Sequence, residues 1–410
     1  MSTLRRQLRL LNDNASFRLL FLATFGSGIG TWIAVAALTL DVWNRTSSGS
    51  WVAALQIVTF LPSVVVGLLF GPLIDRLSRR GLMIASDVAR LGVFVALPFV
   101  DSEIAIVALA AVAGLGNAFF RPAVLAGLPN LVADDVLPLA NSFLQGTEWA
   151  AVALGPVTGG TIVASSGPHL AYWINAATFL VPAALLVRIP ARLLQSEQGV
   201  MKGHWRDLGD GVRVVARSRA LVTALLAFGL VMIANGGVNV SEVVLAKVPF
   251  HSGDFGFGLL WTATGVGLVA GSVVASVWLD RKDLTRVYPA GFLVFAAGVV
   301  LAGVSPNVWL GSLAMVVSGF GNGVVFILTV LLVQKGAADH VRGRAFTLII
   351  SVHNALLGFA MAGTGELIDV GVSARWIYVG GGALIIVSAV IAVAMTRDLV
   401  LEPTPAAASA

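Results

Sequence analysis

The fold of this chain is decided by a charged stretch between two long apolar runs, Gly71-Pro72-Leu73-Ile74-Asp75-Arg76-Leu77-Ser78-Arg79-Arg80. The flanking runs, 51–70 and 81–100, are each long enough to cross a bilayer, which takes roughly 20 apolar residues. One carboxylate and three guanidinium groups are costly to place in hydrocarbon, so the stretch must lie at a membrane surface. Its excess of arginine predicts that this surface is the cytoplasmic one.

The composition is that of a membrane protein. Hydrophobic residues make up 57% of the chain and charged residues 11%, against about 25% charged in a soluble domain. The net charge of +5 does not indicate a nucleic-acid partner, because Lys and Arg are concentrated in short loops between apolar runs. The chain has no cysteine, which excludes disulfides, thiol catalysis and cysteine-ligated metal. We expect no metal and no cofactor.

Apolar runs of membrane-spanning length recur along the chain and predict an all-α integral membrane protein. The predicted spans are 17–40, 51–73, 81–100, 104–127, 139–164, 169–189, 219–247, 256–279, 286–304, 308–332, 344–367 and 374–396. Twelve spans put both termini on one side, and the Lys/Arg asymmetry predicts that this side is the cytoplasm. The apolar run after the basic segment 1–18 is too long for a signal-peptide core, so it predicts an uncleaved first span in the cytoplasmic (inner) membrane.

The chain contains an internal repeat at an offset of 205 residues, half its length of 410. Asp280-Arg281-Lys282 repeats the charged stretch at Asp75, and Gly319-Phe320-Gly321-Asn322 repeats Gly114-Leu115-Gly116-Asn117. Parallel halves of six spans are a known transporter construction, with the site near the midplane between them. The predicted domains are 1–189, a cytoplasmic linker 190–218 with an amphipathic segment, 219–397, and a disordered tail 398–410.

These motifs resemble the major facilitator superfamily. The signature between that family's second and third spans is matched by Gly71, Asp75, Arg76, Arg79 and Arg80. In the fifth span, Gly155, Pro156, Gly159 and Gly160 resemble the Gly-Pro-x-x-Gly-Gly motif of the drug–proton antiporters, although Ala151 replaces its leading glycine. Phe119-Phe120-Arg121-Pro122 is similar to the branch with macrolide and enterobactin exporters. The resemblance implies a twelve-helix transporter with two six-helix halves.

The charged stretches are candidate gates. A carboxylate such as Asp75 can accept hydrogen bonds from the open N–H groups at the start of a helix, and the resemblance implies that this helix is the eleventh span. By symmetry, Asp280 beside Arg281 would act on the fifth span. Arg76, Arg79 and Arg80 are predicted to pair with Asp87, which precedes Arg90 by one turn. The alternative is that these arginines only anchor the loop in the cytoplasm.

Glu148 is the most informative single residue. It lies ten residues into the fifth span, or about 15 Å at the helical rise, where a carboxylate is expensive and normally functional. We predict that it carries a coupling proton. The alternative is a fixed ion pair with Arg121 of the fourth span. His353 is its repeat counterpart and titrates in a physiological range, the alternative being a histidine hydrogen-bonded among helices.

A polar stripe runs along the seventh span. Asn235, Asn239 and Glu242 follow one another at spacings of four and three, which places them on one helical face. They are predicted to line a substrate pathway or to join helices. Trp32 is a candidate aromatic wall for an apolar guest.

The leading functional prediction is a secondary transporter that exports a small amphipathic or drug-like molecule by alternating access, in exchange for protons. The alternatives are an uncoupled facilitator or importer and a transporter-like sensor. An enzyme is disfavoured because P-loop, Gly-x-Ser-x-Gly and His-Glu-x-x-His motifs are absent from the sequence. The expected partners are the small-molecule substrate, protons and the lipid bilayer, and we expect a monomer.

Overall fold

The computed structural model describes residues 10–69, 77–133, 135–194, 212–278, 284–337 and 339–396, and this part of the chain contains helices and no strand. Twelve long helices follow one another: Ala15–Thr46 (α1), Gly49–Leu69 (α2), Arg79–Ala96 (α3), Glu103–Gly127 (α4), Leu137–Ser166 (α5), Pro168–Val187 (α6), Arg219–Lys247 (α7), Gly253–Trp278 (α8), Leu284–Val304 (α9), Val308–Gly336 (α10), Asp339–Asp369 (α11) and Ala374–Thr396 (α12). Each predicted span overlaps one of these helices.

Eleven of the described helices are long and apolar enough to cross a membrane. The remaining long helix is α5, so the predicted all-α membrane fold is confirmed, while the crossing by α5 remains a prediction. The largest difference in bounds is at α1, which continues six residues past the predicted end. Asp41 and Arg45 lie in this extension and neutralise each other through an Nε–Oδ1 contact of 2.8 Å. The Tyr172 hydroxyl donates a further hydrogen bond to Asp41 at 2.7 Å.

Helix ends follow local capping chemistry. The side chains of Asn14, Ser78, Ser218 and Asn307 accept hydrogen bonds from backbone N–H groups in the first turns of α1, α3, α7 and α10. Gly167, with φ of +78°, makes the connection between α5 and α6. This glycine lets the chain turn within one residue from the end of α5 to the start of α6.

The helices pack in two sets, α1–α6 and α7–α12, and the second set repeats the contacts of the first. The pairs α1·α5, α1·α6, α2·α4, α3·α4 and α3·α6 have counterparts six helices later in α7·α11, α7·α12, α8·α10, α9·α10 and α9·α12. Between the sets, α5·α8 corresponds to α2·α11. The sequence repeat is therefore also a repeat of packing, while the predicted domain boundaries remain untested.

Small residues allow close backbone contact in the second set. A Cβ atom added at Gly319 would meet the Thr264 carbonyl oxygen of α8, and one added at Gly323 would meet the Leu268 carbonyl oxygen. In the reverse direction, Gly271 faces the Phe320 carbonyl oxygen of α10. Spacing of four residues puts each glycine pair on one helix face, where bare backbone can pack at short range.

We define two ends of the bundle. The terminus face carries the start of α1 and the end of α12, and the opposite face carries the end of α1 and the start of α12. The tail 398–410 and most of the predicted amphipathic segment lie outside the described residues.

Candidate functional site

A cavity of about 730 Å³ lies between the two helix sets. The first six helices all contribute to its lining, whereas the second set contributes only through α7, α8 and α11. On one side the lining reaches Asn141 and Ser142, close to the start of α5 at the terminus face. The cavity therefore extends toward the terminus face, and most of its surface belongs to the first set.

Three of the described lining residues are charged: Arg90, Arg121 and Glu148. Neutral polar side chains surround them, among them Gln56, Asn117, Asn175, Asn239 and Asn354. A cavity with apolar walls and a few fixed polar groups is typical of small-molecule sites. Among the described residues there is no group of three or more His, Asp or Glu side chains that could hold a metal ion.

Glu148 lies in the cavity and faces Arg121. Their Oε1 and Nη1 atoms are 3.6 Å apart, and the two side chains are 30% and 55% exposed. The pair therefore joins α5 to α4 while both groups remain open to the cavity. The pairing partner named in the second reading of Glu148 is therefore present, while the contact is also compatible with a proton carrier, so both readings stay open.

Arg90 and Asp87 form a buried ion pair within α3. Their Nη2 and Oδ1 atoms are 2.6 Å apart, and the side chains are 3% and 0% exposed. The prediction that Asp87 pairs with the arginines of the charged stretch is wrong in the described part of the chain. Arg79 instead donates to the carbonyl oxygen of Ala126 at 2.8 Å, and Arg80 to that of Val187 at 2.6 Å. These arginines fasten the start of α3 to the ends of α4 and α6. Asp75, Arg76, Asp280 and Arg281 lie outside the described residues.

The cavity ends in an aromatic contact between the two sets. Trp32 of α1 and Trp261 of α8 meet edge to face, with ring centroids 5.8 Å apart, a favoured geometry for aromatic pairs. Nearby, the Gln56 side chain donates to the Asn239 carbonyl oxygen at 3.1 Å. Trp32 is therefore a wall of the cavity and part of a contact between the two sets.

At the opposite face, Asp369 joins the two sets. It ends α11, and its carboxylate accepts hydrogen bonds from Gly49 N at 2.6 Å, Ser50 N at 3.1 Å and Ser48 Oγ at 2.9 Å. These are donors at the start of α2, where the first N–H groups have no partner within the helix. The carboxylate of one set thus caps a helix of the other. This is the chemistry predicted for Asp75, at the other end of the bundle.

A second polar contact closes the same face. The Lys247 ammonium at the end of α7 contacts both Asp254 of α8 and Asn44 of α1. Asn44 also donates to Asp254 at 3.4 Å. All the contacts between the sets described so far lie in the parts of the helices nearest the opposite face.

The glycine motif of α5 lies between α1 and α8. An added Cβ at Gly159 would lie 2.6 Å from the Ile33 carbonyl oxygen, and one at Gly160 would lie 2.6 Å from that of Asp254. Gly155 faces Trp32 at similarly short range, and the Pro156 carbonyl oxygen faces Gly258 of α8. Next to the proline, Val157 N donates across to Thr262 Oγ1 at 3.1 Å. The motif forms a backbone seam that holds the two sets together.

The structure divides the polar stripe of α7. Asn239 lines the cavity, whereas Asn235 and Glu242 are not part of its lining. Glu242 is only 3% exposed, and its Oε1 has no hydrogen-bond partner among the described residues. The prediction that all three lie on a substrate pathway is corrected to Asn239 alone, because Glu242 is enclosed within the second set.

His353 also lies outside the cavity lining. Its Nε2 is 3.2 Å from the Leu225 carbonyl oxygen, and its ring lies 5.3 Å from that of Phe228. These contacts match the alternative of a histidine hydrogen-bonded among helices. Its placement on the pathway is therefore corrected.

Sequence reasoning missed Asp369, Asn175 and the Asp41–Tyr172 pair. The unused signal for Asp369 was a polar Ser-Gly-Ser sequence at a helix start together with an acid at a helix end. No charge marks Asn175, since it is one of a few neutral polar residues in an apolar helix.

Comparisons with known proteins agree with this architecture. The profile of the transmembrane secretion effector family matches residues 11–403. The putative bacilysin exporter BacE of Bacillus amyloliquefaciens is 24% identical over 303 residues, 73% of this chain and 75% of BacE. The enterobactin exporter EntS of Citrobacter koseri is 25% identical over 346 residues, 82% of this chain and 81% of EntS.

A crystal structure of the peptide transporter POT in complex with sulfate superposes with a TM-score of 0.74 at 13% identity, covering 94% of both chains. It shows the shared fold, so the predicted major facilitator fold is confirmed. The chain belongs to the transmembrane secretion effector family, whose members related to it are multi-pass, efflux-type transporters of the major facilitator superfamily.

Proposed function

We propose that this protein exports a small amphipathic or drug-like molecule across the cytoplasmic membrane by alternating access, in exchange for protons. The observation that carries the proposal is a cavity between two similar helix sets, lined by Glu148 and Arg121, with the Asp369 and Lys247 contacts joining the sets at the opposite face. The exporters among its relatives support the direction of transport. The domain division at 190–218, with both termini in the cytoplasm, completes the proposal.

The orientation follows from charge. Arginines are concentrated in the loops of the terminus face, which is therefore the cytoplasmic side. In the proposed cycle, a cavity that extends toward the terminus face belongs to the inward-open state, which takes substrate from the cytoplasm or the inner leaflet. Export then requires the contacts of Asp369 and Lys247 at the opposite face to break.

In the proposed coupling step, Glu148 carries one proton. In the outward-open state the Glu148 carboxylate takes up a proton from outside, which removes its attraction for Arg121 and favours release of the substrate. After the return to the inward-open state the proton leaves to the cytoplasm, and the ion pair forms again. The proton moves inward and the substrate outward, and nothing else is consumed.

The test is a substrate screen in everted vesicles with and without a pH gradient. Gradient-driven uptake of at least one amphipathic compound is expected, and uptake that is equal without the gradient contradicts proton coupling. The second candidate is uncoupled facilitation, in which the Glu148–Arg121 ion pair would be a fixed bridge between α5 and α4. Glu148→Gln separates the two, since only the coupled mechanism loses the response to the gradient.

A further inference from the structure

The coupling step does not use Arg90, a buried arginine that lines the cavity. The residue is 2% exposed and contributes to the cavity surface. Its Nε donates to the Ser86 carbonyl oxygen at 3.3 Å, and its Nη2 donates to Asp87 at 2.6 Å. The other terminal nitrogen, Nη1, makes no hydrogen bond with a described residue. Two N–H groups of a charged side chain are therefore open to an acceptor.

Aromatic rings determine how a ligand can approach this guanidinium group. Its central carbon lies 4.4 Å from the ring centroid of Phe179 and 4.7 Å from that of Phe120. Such contacts stabilise the cation and place apolar surface beside it. A ligand that reaches Arg90 therefore meets these rings with its apolar part.

A second unpartnered donor lies on α6. Asn175 of α6 is fully buried and also lines the cavity. Its Oδ1 accepts from Thr178 Oγ1 at 2.9 Å, whereas its Nδ2 has no hydrogen-bond partner among the described residues. Asn175 is one turn from Phe179 on the same helix face, and Phe179 contacts Arg90. Arg90 and Asn175 thus place two unpartnered donors on the part of the cavity lining that α3 and α6 form.

We propose that this region binds the acidic oxygens of the transported molecule, and that the substrates include amphipathic compounds with a carboxylate beside an aromatic or apolar body. A carboxylate offers only acceptors and matches donors that lack partners, and charge-assisted hydrogen bonds to a guanidinium group are the strong ones. A neutral amide in the same place is a poorer match, because its own N–H groups would face the N–H groups of Arg90 and Asn175. Asp87 holds the guanidinium group in place through its other edge. The inference rests on the proposed function only in that the bound molecule is also the transported one; binding at this site requires no transport.

The test compares dansyl-glycine with dansyl-glycinamide, which share a fluorophore and nearly the same size. Binding to the purified protein in phosphatidylcholine nanodiscs is followed by fluorescence anisotropy. We expect the carboxylate to bind about tenfold more tightly than the amide, as for a hydrogen bond to a charged group. In Arg90→Gln the ratio is expected to fall to about one, while the amide still binds.

Two further variants guard against misfolding. Arg90→Gln leaves Asp87 buried without a partner, so the double variant Asp87→Asn/Arg90→Gln removes both charges and should give the same ratio. Asn175→Ala should lower the ratio by about threefold without changing any charge. The matched control is Arg286→Gln, which removes an exposed arginine outside the cavity lining and should keep the full ratio.

Equal affinity for the two probes, no carboxylate-dependent binding, or a ratio that persists in folded Arg90 variants would overturn the proposal. Binding needs no gradient, so the two proposals fail separately. A carboxylate preference without export in vesicles contradicts the function and leaves this site standing. Gradient-driven export with no such preference contradicts the site alone.

Discussion

Asp369→Ala should favour opening of the opposite face. The carboxylate accepts three hydrogen bonds from the start of α2, two of them from backbone N–H groups with no partner within the helix. Loss of such a cap costs about 0.5–2 kcal/mol. Asp369 is exposed, so water replaces part of the loss, and about 1 kcal/mol is the appropriate value. Because the cap exists only while the two sets touch here, the open state should gain about fivefold in population.

The assay uses the absence of cysteine in the chain. A single cysteine at Leu38, which lines the cavity near its closed end, is labelled with a membrane-impermeant maleimide added from the side of the opposite face. Asp369→Ala should label about fivefold faster, and Asp369→Asn, which keeps one acceptor oxygen, less so. The matched control is Asp101→Ala, an exposed acid whose ion pair with Arg45 stays within the first set. An unchanged labelling rate in Asp369→Ala, or an equal increase in Asp101→Ala, would refute the capping argument.

Three further predictions follow from the site and the packing. Glu148→Gln should keep the folded yield and lose export driven by a pH gradient; undiminished gradient-driven flux from a well-folded variant eliminates the proton role. A cysteine at Ser48 should react with an impermeant reagent outside intact cells and one at Ser78 should not, and the reverse pattern overturns the orientation. Gly319→Val should destabilise the fold by about 1–3 kcal/mol, seen as a lower melting temperature in detergent, because its side chain would meet the Thr264 carbonyl oxygen; an unchanged melting temperature contradicts the tight packing of α8 and α10.

The helices and their repeat could be predicted from the sequence because hydrocarbon imposes a length and a composition on every spanning segment. Depth along a helix could be predicted as well, since it follows from residue number and helical rise. On this basis Glu148 is expected deep in the fifth span, and in the structure it lines the cavity from α5.

Neighbours across helices could not be predicted in the same way. The stripe of Asn235, Asn239 and Glu242 defines one face of α7, but helical periodicity does not say which helix that face meets. Only Asn239 reaches the cavity, while Glu242 is enclosed within the second set. Asp369 was missed for a related reason, since the N–H and O–H groups that donate to it come from a helix start more than 300 residues earlier.

The glycine seam of α5 and α8 has a mechanical consequence. At the α2–α11 crossing, water can solvate Asp369 and the freed N–H groups once the sets part. At the seam, Val157 donates its backbone N–H directly to Thr262. Glycines of each helix also contact carbonyl oxygens of the other helix. Separation of the helices would therefore remove these close contacts, and no side chain could fill the gap. Separating the two sets therefore costs more free energy at the α5–α8 seam than at the α2–α11 crossing. We expect the two sets to rotate about the contact between α5 and α8 and to separate at the crossing of α2 and α11.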